Sequence, residues 1–130
     1  IAMKAFVLGL FVLALSACGS AELTVYLESD SSVQEPIVWY RVIVREFTSQ
    51  TPEIYPAQRV GDGAVRIPFP TDGKAFTLRV DACTEGDGCD VSRRTAVACS
   101  RALTVDEGEI QRPIRLTLIA VPTPDPGGCP

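Results

Sequence analysis

A period-two alternation of apolar and polar residues constrains this chain most, because only a half-buried β-strand puts every second side chain on one face. Leu23, Val25 and Leu27 alternate with Thr24, Tyr26 and Glu28, and Val65, Ile67 and Phe69 repeat the pattern. Phe76, Leu78, Val80 and Ala82 alternate with Thr77, Arg79 and Asp81, and Ile114, Leu116, Leu118 and Ala120 close the series. "IVWYRVIVREF" (37–47) is the most β-rich run, and "TAVACSRAL" (95–103) reads as a further strand. No segment sustains a 3.6-residue period, and none repeats. Polar or Pro/Gly-marked stretches separate the runs: "SDSSVQEP" (29–36), "PTDG" (70–73) and "VDEGE" (105–109) read as turns, with "PTDG" predicting a hairpin. Residues 48–63 read as a long irregular connection with room for a short edge strand. Pro113, lacking an N–H, should mark the start or edge of the last strand. The expected fold over residues 21–121 is all-β, a six- or seven-stranded antiparallel β-sandwich. The tail "PTPDPGGCP" (122–130) is too rich in Pro and Gly to pack alone, and should be extended unless Cys129 ties it down.

Ahead of the strands, Ala5 to Leu15 is apolar and follows Lys4. Eleven such residues are too few to cross a bilayer, which takes about 20. A positive start, a short apolar run and small residues after it are the parts of an export signal. Residues 1–17 are therefore expected to be a cleaved signal peptide, leaving 113 residues, enough for one core. The remaining 11 basic and 16 acidic residues make the chain acidic, which argues against a nucleic-acid partner. Histidine is absent, so the commonest general base and zinc ligand are missing, and the usual partner of a nucleophilic serine with them.

The residues Leu15, Ser16, Ala17 and Cys18 resemble the lipobox of bacterial lipoproteins. In that family the cysteine thiol takes a diacylglyceryl group, cleavage falls just before it, and the new amino terminus is often acylated too. The resemblance implies that Cys18 is the lipidated first residue of the mature chain, with residues 18–20 as anchor and short tether. Two or more acyl chains hold a protein stably at a membrane surface. Gly19 stands where an aspartate would resemble an inner-membrane retention signal, so the resemblance implies a cell-envelope location at the outer membrane. The strand order over 21–121, with "RVDAC" and "AVACSRAL", is similar to small β-sandwich lipoproteins of high-GC Gram-negative bacteria. Their domains resemble transthyretin-like or carboxypeptidase-regulatory-like modules, and no catalytic motif carries over. Antibody-type domains are a poorer match, since no Trp lies midway between two cysteines.

Cys83, Cys89, Cys99 and Cys129 form an even set, read as two disulfides in an exported chain. Three connectivities are open; Cys83 with Cys89 is taken for a small loop, leaving Cys99 with Cys129. A metal site is the competing reading, but no CxxC pair occurs. Asp81, Glu85, Asp87 and Asp90 cluster around "EGDGCD" and are candidate calcium ligands, although the spacing misses the EF-hand pattern. The same carboxylates are weak candidates for a hydrolytic pair. Ser92 and Ser100 have arginines nearby but no base, and no G-x-S-x-G elbow occurs. Val38, Tyr40, Val42 and Val44 form the better core face of the 37–47 run. Ile37, Trp39, Arg41, Ile43 and Arg45 share the other, where Trp39, Arg41 and Arg45 are the candidate binding residues because Trp and Arg are enriched at interface hot spots. The competing expectation is that residues 48–63 cover this outer face as a second layer of core. The function expected is therefore a non-enzymatic structural or binding module, held at the membrane by lipid and contacting another envelope protein or a polysaccharide, without a cofactor. The alternative is a calcium-dependent or carboxylate-based envelope enzyme.

Overall fold

The structure is a computed structural model and describes residues 22–47, 50–68, 75–85, 89–104 and 114–130. The expected signal peptide, Cys18, the "PTDG" and "VDEGE" turns, Pro113 and Asp87 lie outside the described residues. Nine strands and no helix occur among the described residues, so none of these crosses a membrane as a helix. They are β1 (Glu22–Ser29), β2 (Trp39–Glu46), β3 (Glu53–Ile54), β4 (Gln58–Arg59), β5 (Ala64–Pro68), β6 (Ala75–Cys83), β7 (Ala96–Cys99), β8 (Leu103–Thr104) and β9 (Ile114–Ala120).

The strands join in one curled sheet of order β3-β2-β6-β7-β9-β1-β5, with β4 also on β2 and β8 on β6. Two expectations about strand pairing are corrected. The sheet is mixed, because β1 and β9 pair in parallel from Val25↔Ile114 to Ser29↔Leu118. Among the described residues no hairpin joins β5 to β6 either: β5 lies on β1, while β6 is held between β2 and β7. Alternation tells which face of a strand is apolar, but both faces of this choice are satisfied by more than one neighbour.

The curl arises at β9. Its first five residues pair with β1, and Ile119 and Ala120 pair with β7, so the strand passes from one half of the sheet to the other. The inner faces then converge on one core. Leu23, Val25, Leu27, Val65, Ile67 and Leu118 come from one half, and Tyr40, Val42, Val44, Phe76, Leu78, Val80, Ala82, Ala96 and Ala98 from the other. The result is a half-barrel. Near its open seam the Gln58 amide of β4 reaches β5, its Nε2 donating to the Arg66 carbonyl at 2.9 Å while its Oε1 accepts from the Arg66 N–H at 3.4 Å.

The "TAVACSRAL" run divides into β7 and β8. Between the pairs Arg79↔Cys99 and Phe76↔Leu103, three residues, Ser100 to Ala102, face two, Thr77 and Leu78. That extra residue is a β-bulge, and its serine repairs the ladder. The Ser100 N–H donates to the Leu78 carbonyl at 2.9 Å, and the Leu78 N–H donates to Ser100 Oγ at 2.8 Å.

Residues 50–63 do not form a second layer over the outer face of β2. β3 and β4 extend the edge of β2 in its own plane, at Ile43↔Ile54 and Trp39↔Arg59. Ile54 is left 58% exposed, while Tyr55 packs against the core.

Candidate functional site

The outer face of β2 and β6 carries the chemistry, because the side chains that alternate with the core residues are mostly charged there. Cross-strand register sets Arg41 opposite Asp81, Ile43 opposite Arg79, and Arg45 opposite Thr77. Asp81 is only 1% exposed, and its carboxylate is enclosed by guanidinium groups. Arg79, two residues before it on the same strand face, donates from Nε to Oδ1 and from Nη2 to Oδ2, both at 3.1 Å. Arg94 donates from Nη1 to Oδ1 at 2.8 Å.

Arg94 is held from its other side by residues 125–128. Its Nε donates to Asp125 Oδ2 at 3.0 Å, and its Nη2 to Asp125 Oδ1 at 2.5 Å and to the Gly128 carbonyl at 2.7 Å. The hydrogen bonds from Arg94, then that from the Gly127 N–H, hold the Asp125 carboxyl down at about 2. Asp125, then Asp81, in turn raises the Arg94 guanidinium above its ordinary value. The tail is thus tied down. Of the three connectivities, the structure has Cys83–Cys89 and Cys99–Cys129, with Cα separations of 5.5 and 6.1 Å.

Beside the tail lies a groove of about 410 Å³, bounded by Ile43, Arg45, Ile54, Arg79, Cys99 and Gly128 among others. Ile43, Ile54 and Arg79 also floor a neighbouring depression walled by Arg41, Asp90 and Val91. Ile43 is 6% exposed although it belongs to the outer face. Arg41 pairs with Asp90 at 3.4 Å, and Arg41 Nε has no hydrogen-bond partner among the described residues.

The candidate binding residues separate. Arg41 and Arg45 border the two depressions. Trp39 is half-buried at the far end of β2, where the Arg59 guanidinium lies 5.7 Å from its ring centroid. Among the candidate calcium ligands, Asp81 is engaged by two arginines, Asp90 pairs with Arg41, and Glu85 is exposed. Among the described residues no group of three or more His, Cys, Asp or Glu is placed to hold a metal ion. Ser92 borders the second depression, and the Ser100 hydroxyl is spent on the bulge, donating to the Arg101 carbonyl at 2.8 Å.

Sequence reasoning missed Arg94 and Asp125. One signal was available: Arg79 and Asp81 share a strand face, so an ion pair was the simpler use for Asp81. Nothing local marks Arg94 as its second partner. No protein-family description, curated protein or solved structure matches the chain.

Proposed function

We propose that this chain is a lipid-anchored cell-envelope protein whose β-sandwich-type domain is a non-enzymatic binding module for another envelope component. In this reading Cys18 carries the acyl chains and the outer membrane holds them. β1 begins at Glu22, four residues beyond Cys18, so extended chain allows at most about 14 Å between the anchor and the sheet. Partners are then met within the membrane's own layer.

The observation that supports a binding role is the groove on the outer face. Its floor is aliphatic through Ile43 and Ile54, and Arg45 stands exposed at its margin with no ion-pair partner among the described residues. An apolar floor with a few placed polar groups is the usual make-up of a recognition site. A polysaccharide or a protein segment fits that chemistry, and nucleic acid does not suit so acidic a chain.

Two measurements test the reading. Labelled palmitate should enter the wild-type protein in bacteria and not Cys18→Ser, which should collect as unprocessed or soluble protein. A photo-crosslinking residue at position 54 should capture an envelope component in the anchored protein, and Arg45→Glu should reduce that capture. Absence of label would overturn the anchor, and capture that ignores Arg45→Glu would overturn the groove.

A further inference from the structure

The last ten residues are held almost wholly by polar and covalent links. Residues 122–127 are exposed and Gly128 is half-buried, so little apolar surface seats this segment. Besides the Cys99–Cys129 bridge, what seats it is one buried cation. The Arg94 side chain has no solvent exposure, and Asp125 meets it with two parallel bonds, the fork-to-fork geometry by which a guanidinium recognises a carboxylate. Asp81, behind it, fixes the orientation of the fork.

Two further features give the bound segment a pattern. The Gly127 N–H folds back to donate to Asp125 Oδ1 at 2.8 Å, and Gly127 has φ +82°, a left-handed conformation that favours glycine. The Gly128 carbonyl is the third acceptor that the segment offers Arg94, after the two Asp125 oxygens. Recognition therefore reads an aspartate followed by a glycine turn and a main-chain carbonyl. That is a polypeptide pattern, which a free carboxylate would meet only in part.

The tether next to this site differs from the other disulfide. Cys83 and Cys89 are buried, whereas Cys99 and Cys129 are exposed. Thiol–disulfide exchange requires access for the attacking thiolate.

We propose that Arg94, backed by Asp81, is a carboxylate-binding site which Asp125 fills in cis, and that reductive opening of Cys99–Cys129 hands it to an Asp-Pro-Gly-Gly-like segment of another protein. The reductant is a dithiol. One of its thiolates attacks a sulfur of Cys99–Cys129, a mixed disulfide forms, and its second thiol resolves that bond. Two electrons and two protons pass to Cys99 and Cys129 as thiols, and the reductant leaves as its disulfide. Without the covalent loop the effective concentration of Asp125 at Arg94 falls, and an external segment competes. The site works independently of whether Cys18 bears lipid.

The probe is a synthetic peptide, Pro-Thr-Pro-Asp-Pro-Gly-Gly-Ser, with an otherwise identical peptide carrying Asn for Asp. The full-length double variant Asp125→Asn, Cys129→Ser leaves the site unfilled. It should bind the Asp peptide at least tenfold more tightly than the Asn peptide, and oxidised wild type should bind neither. Wild type reduced with a dithiol at a concentration that spares Cys83–Cys89, verified by mass mapping, should bind the Asp peptide. Equal affinities for the two peptides, binding to oxidised wild type, or no binding after selective reduction would each overturn the proposal. Should the double variant fail to fold, Cys129→Ser alone decides through amide exchange at Gly127. Exchange should quicken at least tenfold over wild type, and unchanged exchange would show that the disulfide does not control the latch.

Discussion

Arg94 Nη1 donates to Asp81 Oδ1 across 2.8 Å, and neither side chain has appreciable contact with solvent. Two charges removed from water are tolerable only while each compensates the other. Breaking such a pair from one side costs about 3–5 kcal/mol, because the remaining charge stays buried without its partner. Asp81→Ala leaves Arg79 and Arg94 facing one another without the carboxylate between them. It should lower stability by about that amount in urea unfolding. Replacing the buried pair together by Asp81→Leu and Arg94→Met should cost clearly less than the sum of the single changes. Additive losses would show that the two residues do not act as a pair.

The latch at Asp125 predicts a specific acid response. Its carboxyl is held at about 2 by the Arg94 and Gly127 hydrogen bonds, below the value of about 3.9 for an unperturbed aspartate. The folded value is the lower one, so the contribution is fully present above about pH 4 and is lost as pH falls through about 2. Melting temperatures of wild type and Asp125→Asn should differ by a constant amount from pH 5 to 8 and converge between about pH 4 and 2. A gap that grows on acidification would contradict the assignment.

The strands themselves were legible because their cause is local: Phe76, Leu78 and Val80 alternate with Thr77 and Arg79 on whichever sheet they join, and all three are buried. What decides their neighbours is not local. The parallel pairing of β1 with β9 brings Val25 beside Ile114, and no turn signal encodes it. The site was legible only in part for the same reason. Arg41 and Arg45 follow from alternation on one strand, whereas Arg94 and Asp125 lie 31 residues apart and meet because the chain doubles back after β9. Acidic residues follow Asp81 closely in "TEGDGCD". Its neighbours in space are arginines.

At the seam of the half-barrel, Gln58 predicts a small and local effect. Gln58→Ala removes the bonds to the Arg66 main chain, for a cost of about 1 kcal/mol. The Arg66 amide should exchange faster while amides in β6 keep their protection. Gln58→Glu keeps the size but places an acceptor against the Arg66 carbonyl, so it should be no better than alanine. Wild-type exchange at Arg66 in Gln58→Ala would remove the seam contact.

The corner strand predicts a contrast between adjacent residues. Leu118 has no exposure, and it is the β9 residue buried between the two halves of the sheet. Leu118→Ala should cost about 2–5 kcal/mol through lost burial and a residual cavity. Thr117 is exposed, and Thr117→Ala should stay within about 0.5 kcal/mol. Similar costs at both positions would mean that β9 does not turn the corner with Leu118 inward.

Trp39 offers the simplest optical check, because it is the chain's one tryptophan. The guanidinium of Arg59 covers its ring at 5.7 Å from the centroid, and the ring is half-buried at the end of β2. A cation over an indole at a partly exposed site contributes about 0.5–1 kcal/mol and shields one ring face. Arg59→Ala should therefore increase acrylamide quenching and shift the emission to longer wavelength, with a stability loss no larger than that. Arg45→Ala, further along the same strand face, should leave the emission unchanged. Quenching that is already complete in wild type, or identical in Arg59→Ala, would place the ring in open solvent and remove the stack.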